Sequence, residues 1–198
     1  MRLPDDVDPE SRSRLPLVKR EDLDEQGQRF YDAVVSPHSR TLVGLRGPSG
    51  IWLHSPRLGE HQRAANQYLR YDTGLERRLT ELAILVTARE IDSQFEWTAH
   101  EPAALRDGLA PEIIDIVKHR KPVAGLGVTE ALIVDFGREL FREKKVRPET
   151  FAQAVKLLGY RGVVDLAALM ASYAMTAVIF NAVDQHLRPD QEPLLPTP

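Results

Sequence analysis

The chain of 198 residues contains no cysteine, and that absence removes more chemistry than any other feature of it. Disulfides, cysteine-ligated zinc, iron–sulfur clusters and thiol catalysis all need a residue it does not have. An excess of one charge is missing too. Its 26 Lys and Arg stand against 29 Asp and Glu, a net charge of -3, with no basic block of five or more residues. Nucleic acid is therefore not an expected partner. Residues 1–20 are polar and proline-containing and lack the apolar core of a signal peptide, so a cytoplasmic location is expected. Gly44, Gly47 and Gly50 are not followed by the Gly-Lys-Ser/Thr of a phosphate-binding Walker loop. No three-ligand cluster stands out, so no metal is expected. Nor does any motif point to pyridoxal phosphate or thiamine, so no cofactor is expected.

What is present describes an all-α protein. The length suits one domain with a sizeable core, and 42% hydrophobic with 28% charged residues is ordinary for a soluble globular chain. Period-2 alternation is nowhere sustained, whereas helical periodicity recurs. Residues 24–35 place Phe30, Ala33 and Val34 on one side. Ser55-Pro56 is a helix start; its helix runs to about Asp72 with Leu58, Ala65 and Leu69 inward, and Thr73-Gly74 ends it. Leu79, Leu82, Ala83 and Val86 repeat at helical spacing. Pro111 starts a short helix with Ile113, Ile114 and Val117 apolar. Residues 121–128 are a loop, and Thr129 caps a helix with Leu132, Ile133, Phe136 and Leu140. A helix over 149–159 carries Phe151, Val155 and Leu158, and Gly162 opens the last one. About eight helices result. The expected organisation is a polar arm (1–20), one helical domain (21–186) and a proline-rich, non-helical tail (187–198) that is loose or laid along a neighbour.

Two segments need a choice. Residues 166–183 carry no charge and are long enough for a membrane span. Asp165, Asn181 and Asp184 bound or interrupt them and small residues dilute them, so a buried bundle helix, or one lying in a subunit interface, is expected and no membrane. The segment 40–54 is a long glycine-bearing loop ending near Trp52 and His54. With Tyr68 these could line a pocket for a planar substrate, although Trp52 could equally plug the core.

The stretch from Ser93 to His100 is the most informative. Ser93, Glu96 and His100 stand at i, i+3 and i+7, one stripe of a helix. A carboxylate one turn before an imidazole makes an acid/base pair. The same spacing makes Ser93 and Glu96 a helix capping box, and the two readings overlap. Glu81, in the apolar run before it, is open to a role in catalysis or to pairing with Arg77 or Arg78. The remaining histidines, His38, His119 and His186, are expected in solvent.

Arg78-Leu79-Thr80-Glu81-Leu82-Ala83-Ile84-Leu85, then Glu96-x-x-x-His100, then Gly108-Leu109, resembles the carboxymuconolactone decarboxylase family, whose superfamily includes the alkylhydroperoxidase D proteins. The match is strongest over residues 76–118. In the peroxidase branch the pattern is Glu, then Cys-x-x-Cys, then His. These stations fall on Glu81, Ser93, Glu96 and His100, so both thiols are replaced and thiol peroxidase chemistry has no residue to run on. The decarboxylase branch lacks the Cys pair and keeps a Glu-x-x-x-His like Glu96 and His100. The arginine it tends to carry two residues after the His is here Pro102.

The resemblance implies an alkylhydroperoxidase D-like helical bundle, a homo-oligomer (trimer or hexamer) with its site near subunit contacts, and a place in aromatic-compound breakdown. It implies a cofactor-independent carboxy-lyase acting on a small molecule such as an unsaturated lactone acid, whose own carbonyl accepts the electrons. His100 is then the proton-transfer group, Glu96 its orienting carboxylate and Glu81 a second acid/base or a hydrogen-bond partner, with Ser93, Trp52, His54 and Tyr68 as pocket candidates. Lactone isomerisation or hydrolysis on the same scaffold, and non-catalytic binding of a small molecule, are the competing readings.

Overall fold

Asp24 begins the first α-helix by turning its carboxylate back to accept the N–H of Gly27. In the computed structural model, which describes residues 3–196, this helix (α1, Glu25–Val35) is followed by α2 (Pro48–Trp52), α3 (Pro56–Tyr71), α4 (Arg77–Glu90), α5 (Gln94–Arg106), α6 (Pro111–Lys118), α7 (Val128–Arg138) and α8 (Pro148–Val183). A 3₁₀ turn at Arg20–Asp22 and a π turn at Glu139–Glu143 complete the order. No strand forms among the described residues; a lone bridge pairs Asp8 with Ser13. The fold is all-helical, as the periodicity leads one to expect.

The described residues pack as two units: 3–65 with Val178–Gln191, and Asn66–Ala177 with 192–196. In the first unit α3 does not turn Leu58 and Ala65 inward, as the sequence suggests; both are exposed, and Gly59 faces in instead. A Cβ on Gly59 would stand 2.7 Å from the Phe30 ring and 3.0 Å from Trp52 Cβ, so the helix approaches these two aromatics through a residue without a side chain. A helix face is chosen by what packs on it, and here closeness outweighs apolarity. The segment 40–54 is not wholly loop either. Gly47 and Pro48 open α2, proline serving at a first-turn position where its missing N–H costs nothing. The N-terminal arm is tied down: Arg14 N–H donates to Val183 O and His186 N–H to Arg12 O.

The second unit is built on α4, whose residues Leu79 to Arg89 are all buried. α5, α6 and α7 pack against it. The N-cap of α7 is Gly127, not Thr129, which lies in its first turn. Behind α7 the chain loosens into the π turn, a form common where a side chain demands room. Glu139 is that side chain. It is buried and accepts from Arg147 N–H, the Arg147 guanidinium and Thr150 Oγ1.

α8 is two helical segments that meet at a kink at Gly159 (φ 70°, ψ 171°), three residues before the expected start at Gly162. That conformation is close to glycine-only. α8 is long and apolar enough to cross a membrane by length and composition, with 44% of that span buried. Leu166, Leu169, Met170, Tyr173 and Phe180 are buried while Val164 and Val178 are exposed. In the single chain it is thus a half-covered helix. The tail is non-helical and laid down: Leu195 is buried, Arg89 donates to Pro196 O at 3.0 Å and Leu194 N–H to Thr98 Oγ1 at 3.4 Å. Pro198 lies outside the described residues.

Candidate functional site

Glu81 is held at the middle of α4, fully buried, where an ionisable group survives only if it is paired. Its partners come from three helices. One oxygen, Oε1, accepts from Arg70 at 3.1 Å, from the last turn of α3, and from Arg77 at 2.8 Å, one turn earlier on α4. The other, Oε2, meets Nδ1 of His100 on α5 at 2.6 Å. Burial by itself pushes the Glu81 carboxyl up. His100, Arg70 and Arg77 together outweigh it and bring it down to about 2. Glu81 is therefore a carboxylate and can only accept. That assigns the imidazole proton to Nδ1 and leaves Nε2 as an acceptor while His100 is neutral.

Nε2 points the other way, toward Glu96 Oε2 at 3.6 Å, beyond a formed hydrogen bond. Glu96 is itself buried, and its Oε1 has no hydrogen-bond partner in the chain. Burial raises its carboxyl to about 8; Arg70 pulls against that and Glu81 adds to it. Glu96 thus holds a proton at neutral pH. Burial also lowers His100, and although Glu81 opposes this, Arg70 and Arg77 reinforce it. Tyr173 of α8 closes the cluster, its ring edge-on to the imidazole at 5.0 Å. Burial raises its hydroxyl, which hydrogen-bonds with Asn66.

The sequence expectations can now be placed. Glu81, Glu96 and His100 do converge: Glu81 hydrogen-bonds Nδ1 of the imidazole, and Glu96, its carboxyl pushed up by burial, faces Nε2. Ser93 is the N-cap of α5, yet its side chain makes no capping hydrogen bond, so the capping box does not form. Of the two arginines considered for Glu81, Arg77 pairs with it while Arg78 goes to Glu76 and Glu130.

Tyr68 is part-exposed on α3 and gives its hydroxyl to Asp165 at 3.2 Å. Trp52 and His54 belong to the first unit. There Trp52 is buried, and His54 is exposed with Nε2 3.0 Å from Pro16 O. Of the remaining histidines, His38 and His119 are exposed and His186 is half-buried. Among the described residues no group of three or more His, Asp or Glu is set to hold a metal ion. Arg70, Asn66 and Tyr173 escape a reading of the sequence. They lie on α3 and α8, and no local spacing links them to Glu81 or His100.

The fold and this buried Glu–His–Glu string define an all-α, cysteine-free protein of alkylhydroperoxidase D-like architecture. A crystal structure described as an alkylhydroperoxidase AhpD core, an uncharacterized peroxidase-related protein from Ralstonia eutropha JMP134, superposes with a TM-score of 0.61 at 17% identity, covering 90% of this chain and 93% of that one. Residues 56–133 match the carboxymuconolactone decarboxylase family. The family match spans that segment only, and within it the chain has no cysteine pair. No curated protein matches it in sequence.

Proposed function

We propose that this chain is a cofactor-independent proton-transfer enzyme, in its most concrete form a carboxy-lyase acting on an unsaturated lactone acid such as 4-carboxymuconolactone. One observation carries the reading: a buried string runs from an ionised Glu81 through His100 to a protonated Glu96. Such a string delivers a proton at one end while the other end stays charged.

In the reaction the bond between ring carbon and carboxylate breaks and carbon dioxide leaves. The electron pair moves into the lactone's conjugated carbonyl as a dienolate. Glu96 gives its proton to the carbon that regains the pair. Before that transfer His100 Nε2, an acceptor, faces the Glu96 carboxyl that carries the proton, and Glu81 stabilises any positive charge that reaches the imidazole. Solvent then returns the proton to Glu96. On this reading the working form is a cytoplasmic homo-oligomer, a trimer or hexamer, with a small molecule as its substrate.

The test follows loss of 4-carboxymuconolactone absorbance with the wild type and with His100→Ala. Turnover in the wild type that falls by a factor of about 10²–10⁴ in the variant is expected. No turnover by the folded wild type sinks the named substrate, and turnover untouched by the substitution sinks the site. A lactone isomerase or hydrolase is the second reading, and it has one observation of its own. Pro102 sits inside α5 two residues after His100, where the decarboxylase branch tends to carry an arginine.

A further inference from the structure

α8 bends at Gly159, and beside the bend lies a cavity of about 200 Å³ against the end of α3. Leu157 and Leu158 before the bend, Leu166 and Leu169 after it, and Leu69 on α3 supply most of its wall, together with the turn at residues 73–75. Leu69, Leu166 and Leu169 are buried and make its floor, while Leu157 is exposed and marks its mouth. Gly162 lines it as well. A Cβ there would stand 2.7 Å from Leu158 Cβ, so the wall is thinned by a residue without a side chain. A leucine-lined cavity of about 150 Å³ takes up benzene, so the space here holds a six-membered ring with a substituent.

The wall carries a single acidic side chain, Asp165. It is mostly withdrawn from water, 13% exposed. Two donors reach it from outside the cavity wall, both at long range: the Tyr68 hydroxyl at 3.2 Å and Arg161 Nε at 3.4 Å. A carboxylate has about four acceptor positions, so capacity is left for a donor arriving through the cavity. Arg161 already stands beside it as counter-charge. A neutral hydroxyl therefore suits the place better than a second cation, and an anion is repelled. Tyr68, a pocket candidate in the sequence, is thereby tied to this cavity and not to the cluster around His100.

We propose that the cavity at the bend of α8 binds a small, neutral, ring-sized apolar molecule carrying a hydroxyl, its ring among the leucines and its O–H donating to Asp165. The site is separate from the proton-transfer cluster: none of Arg70, Glu81, Glu96, His100 and Tyr173 lines it. Its preference is also the opposite one, since a lactone acid carries a carboxylate that Asp165 would repel.

The probes are phenol, toluene and benzoate, titrated into the full chain with its leucine methyls labelled and followed by NMR, and into Asp165→Asn. Phenol is expected to shift the methyls of Leu69, Leu166 and Leu169 and to leave those of Leu132 on α7 in place. A hydrogen bond to a charged group is roughly twice as strong as a neutral one, so phenol is expected to bind Asp165→Asn about fivefold more weakly, while toluene, with nothing to donate, keeps its affinity within about twofold. Benzoate is expected to leave the cavity methyls in place.

Phenol that does not move these methyls overturns the proposal, whether the space takes no ligand or a neighbouring copy of the chain fills it. Unchanged phenol affinity in a folded Asp165→Asn, or an equal loss for phenol and toluene, overturns the role of Asp165. Benzoate bound at the same methyls as tightly as phenol does so too, and that comparison on the wild type decides the matter if the asparagine variant does not fold. No readout involves turnover, so loss of the lyase reading leaves this site standing, and loss of this site leaves the lyase.

Discussion

Glu96 and Glu81 are the same residue type less than 20 positions apart, and the structure drives their carboxyls in opposite directions. Glu96 is buried without a bonded cation and rises to about 8; Glu81 is buried with two arginines and a histidine and falls to about 2. Each displacement has a stability consequence with its own sign. For Glu96 the unfolded chain gives up the proton near 4.5 and the native state only near 8. Between those values the native state binds more protons, so its stability falls as pH rises and levels off above 8. Glu96→Gln removes that loss. Its advantage over the wild type is expected to grow by of order 2 kcal/mol between pH 5 and pH 8 in urea unfolding. Parallel curves for the two proteins would rule out a protonated native Glu96.

Glu81 works the other way, its contribution being full above 4.5 and lost as pH falls through about 2. Glu81→Gln leaves Arg70 buried without its counter-charge. It is expected to cost about 3–5 kcal/mol at pH 7 by the same measurement, and much less near pH 2. At this scale the sequence was half legible. Glu96 and His100 are neighbours because they stand four apart on one helix. Which carboxylate holds the imidazole depends on a contact between helices, and so does the burial that sets each charge.

Elements were legible where the signal is local. Asp24 and Ser55-Pro56 announce helix starts through their own backbone chemistry, and the bounds of α1 and α3 follow. The π turn was not legible, because its cause is Glu139 reaching the Arg147 backbone and side chain eight residues on. The sequence ends one helix at Gly159 and opens the next at Gly162, whereas the break falls at Gly159 alone. Both are glycines, and only the path of the chain tells which one takes the left-handed conformation. That conformation makes Gly159→Ala a clean test of the break in α8. A Cβ there meets nothing within 4 Å, so the cost is conformational alone. About 1–3 kcal/mol of destabilisation is expected in urea unfolding. A cost equal to that of an ordinary exposed glycine-to-alanine change would mean that the two halves of α8 form one continuous helix.

For the whole molecule, the tail shows how distant segments complete a core. Leu195 is buried, and the chain around it is bonded to α4 and α5 through Arg89 and Thr98. Leu195→Ala is expected to cost about 2 kcal/mol, read as a shift in the urea midpoint without change of slope. An unchanged midpoint would show the tail to be loose in solution. The proline content of residues 187–198 excluded a helix but could not say whether the tail lies free or packed. That choice belongs to the surface that receives it.

The sequence by itself determined the helical class, the loss of thiol chemistry at positions 93 and 96, and the pairing of Glu96 with His100 along one helix. These follow from composition and from spacing, which local geometry converts directly into neighbours. The tertiary structure alone decided that Glu81 binds Nδ1, that Glu96 keeps its proton, that Ser93 caps nothing, and that Arg70 and Tyr173 join the cluster. The reason is physical. A charge state depends on how much water is removed and on which charges arrive from other helices, and neither quantity is written in the spacing of residues along any one of them.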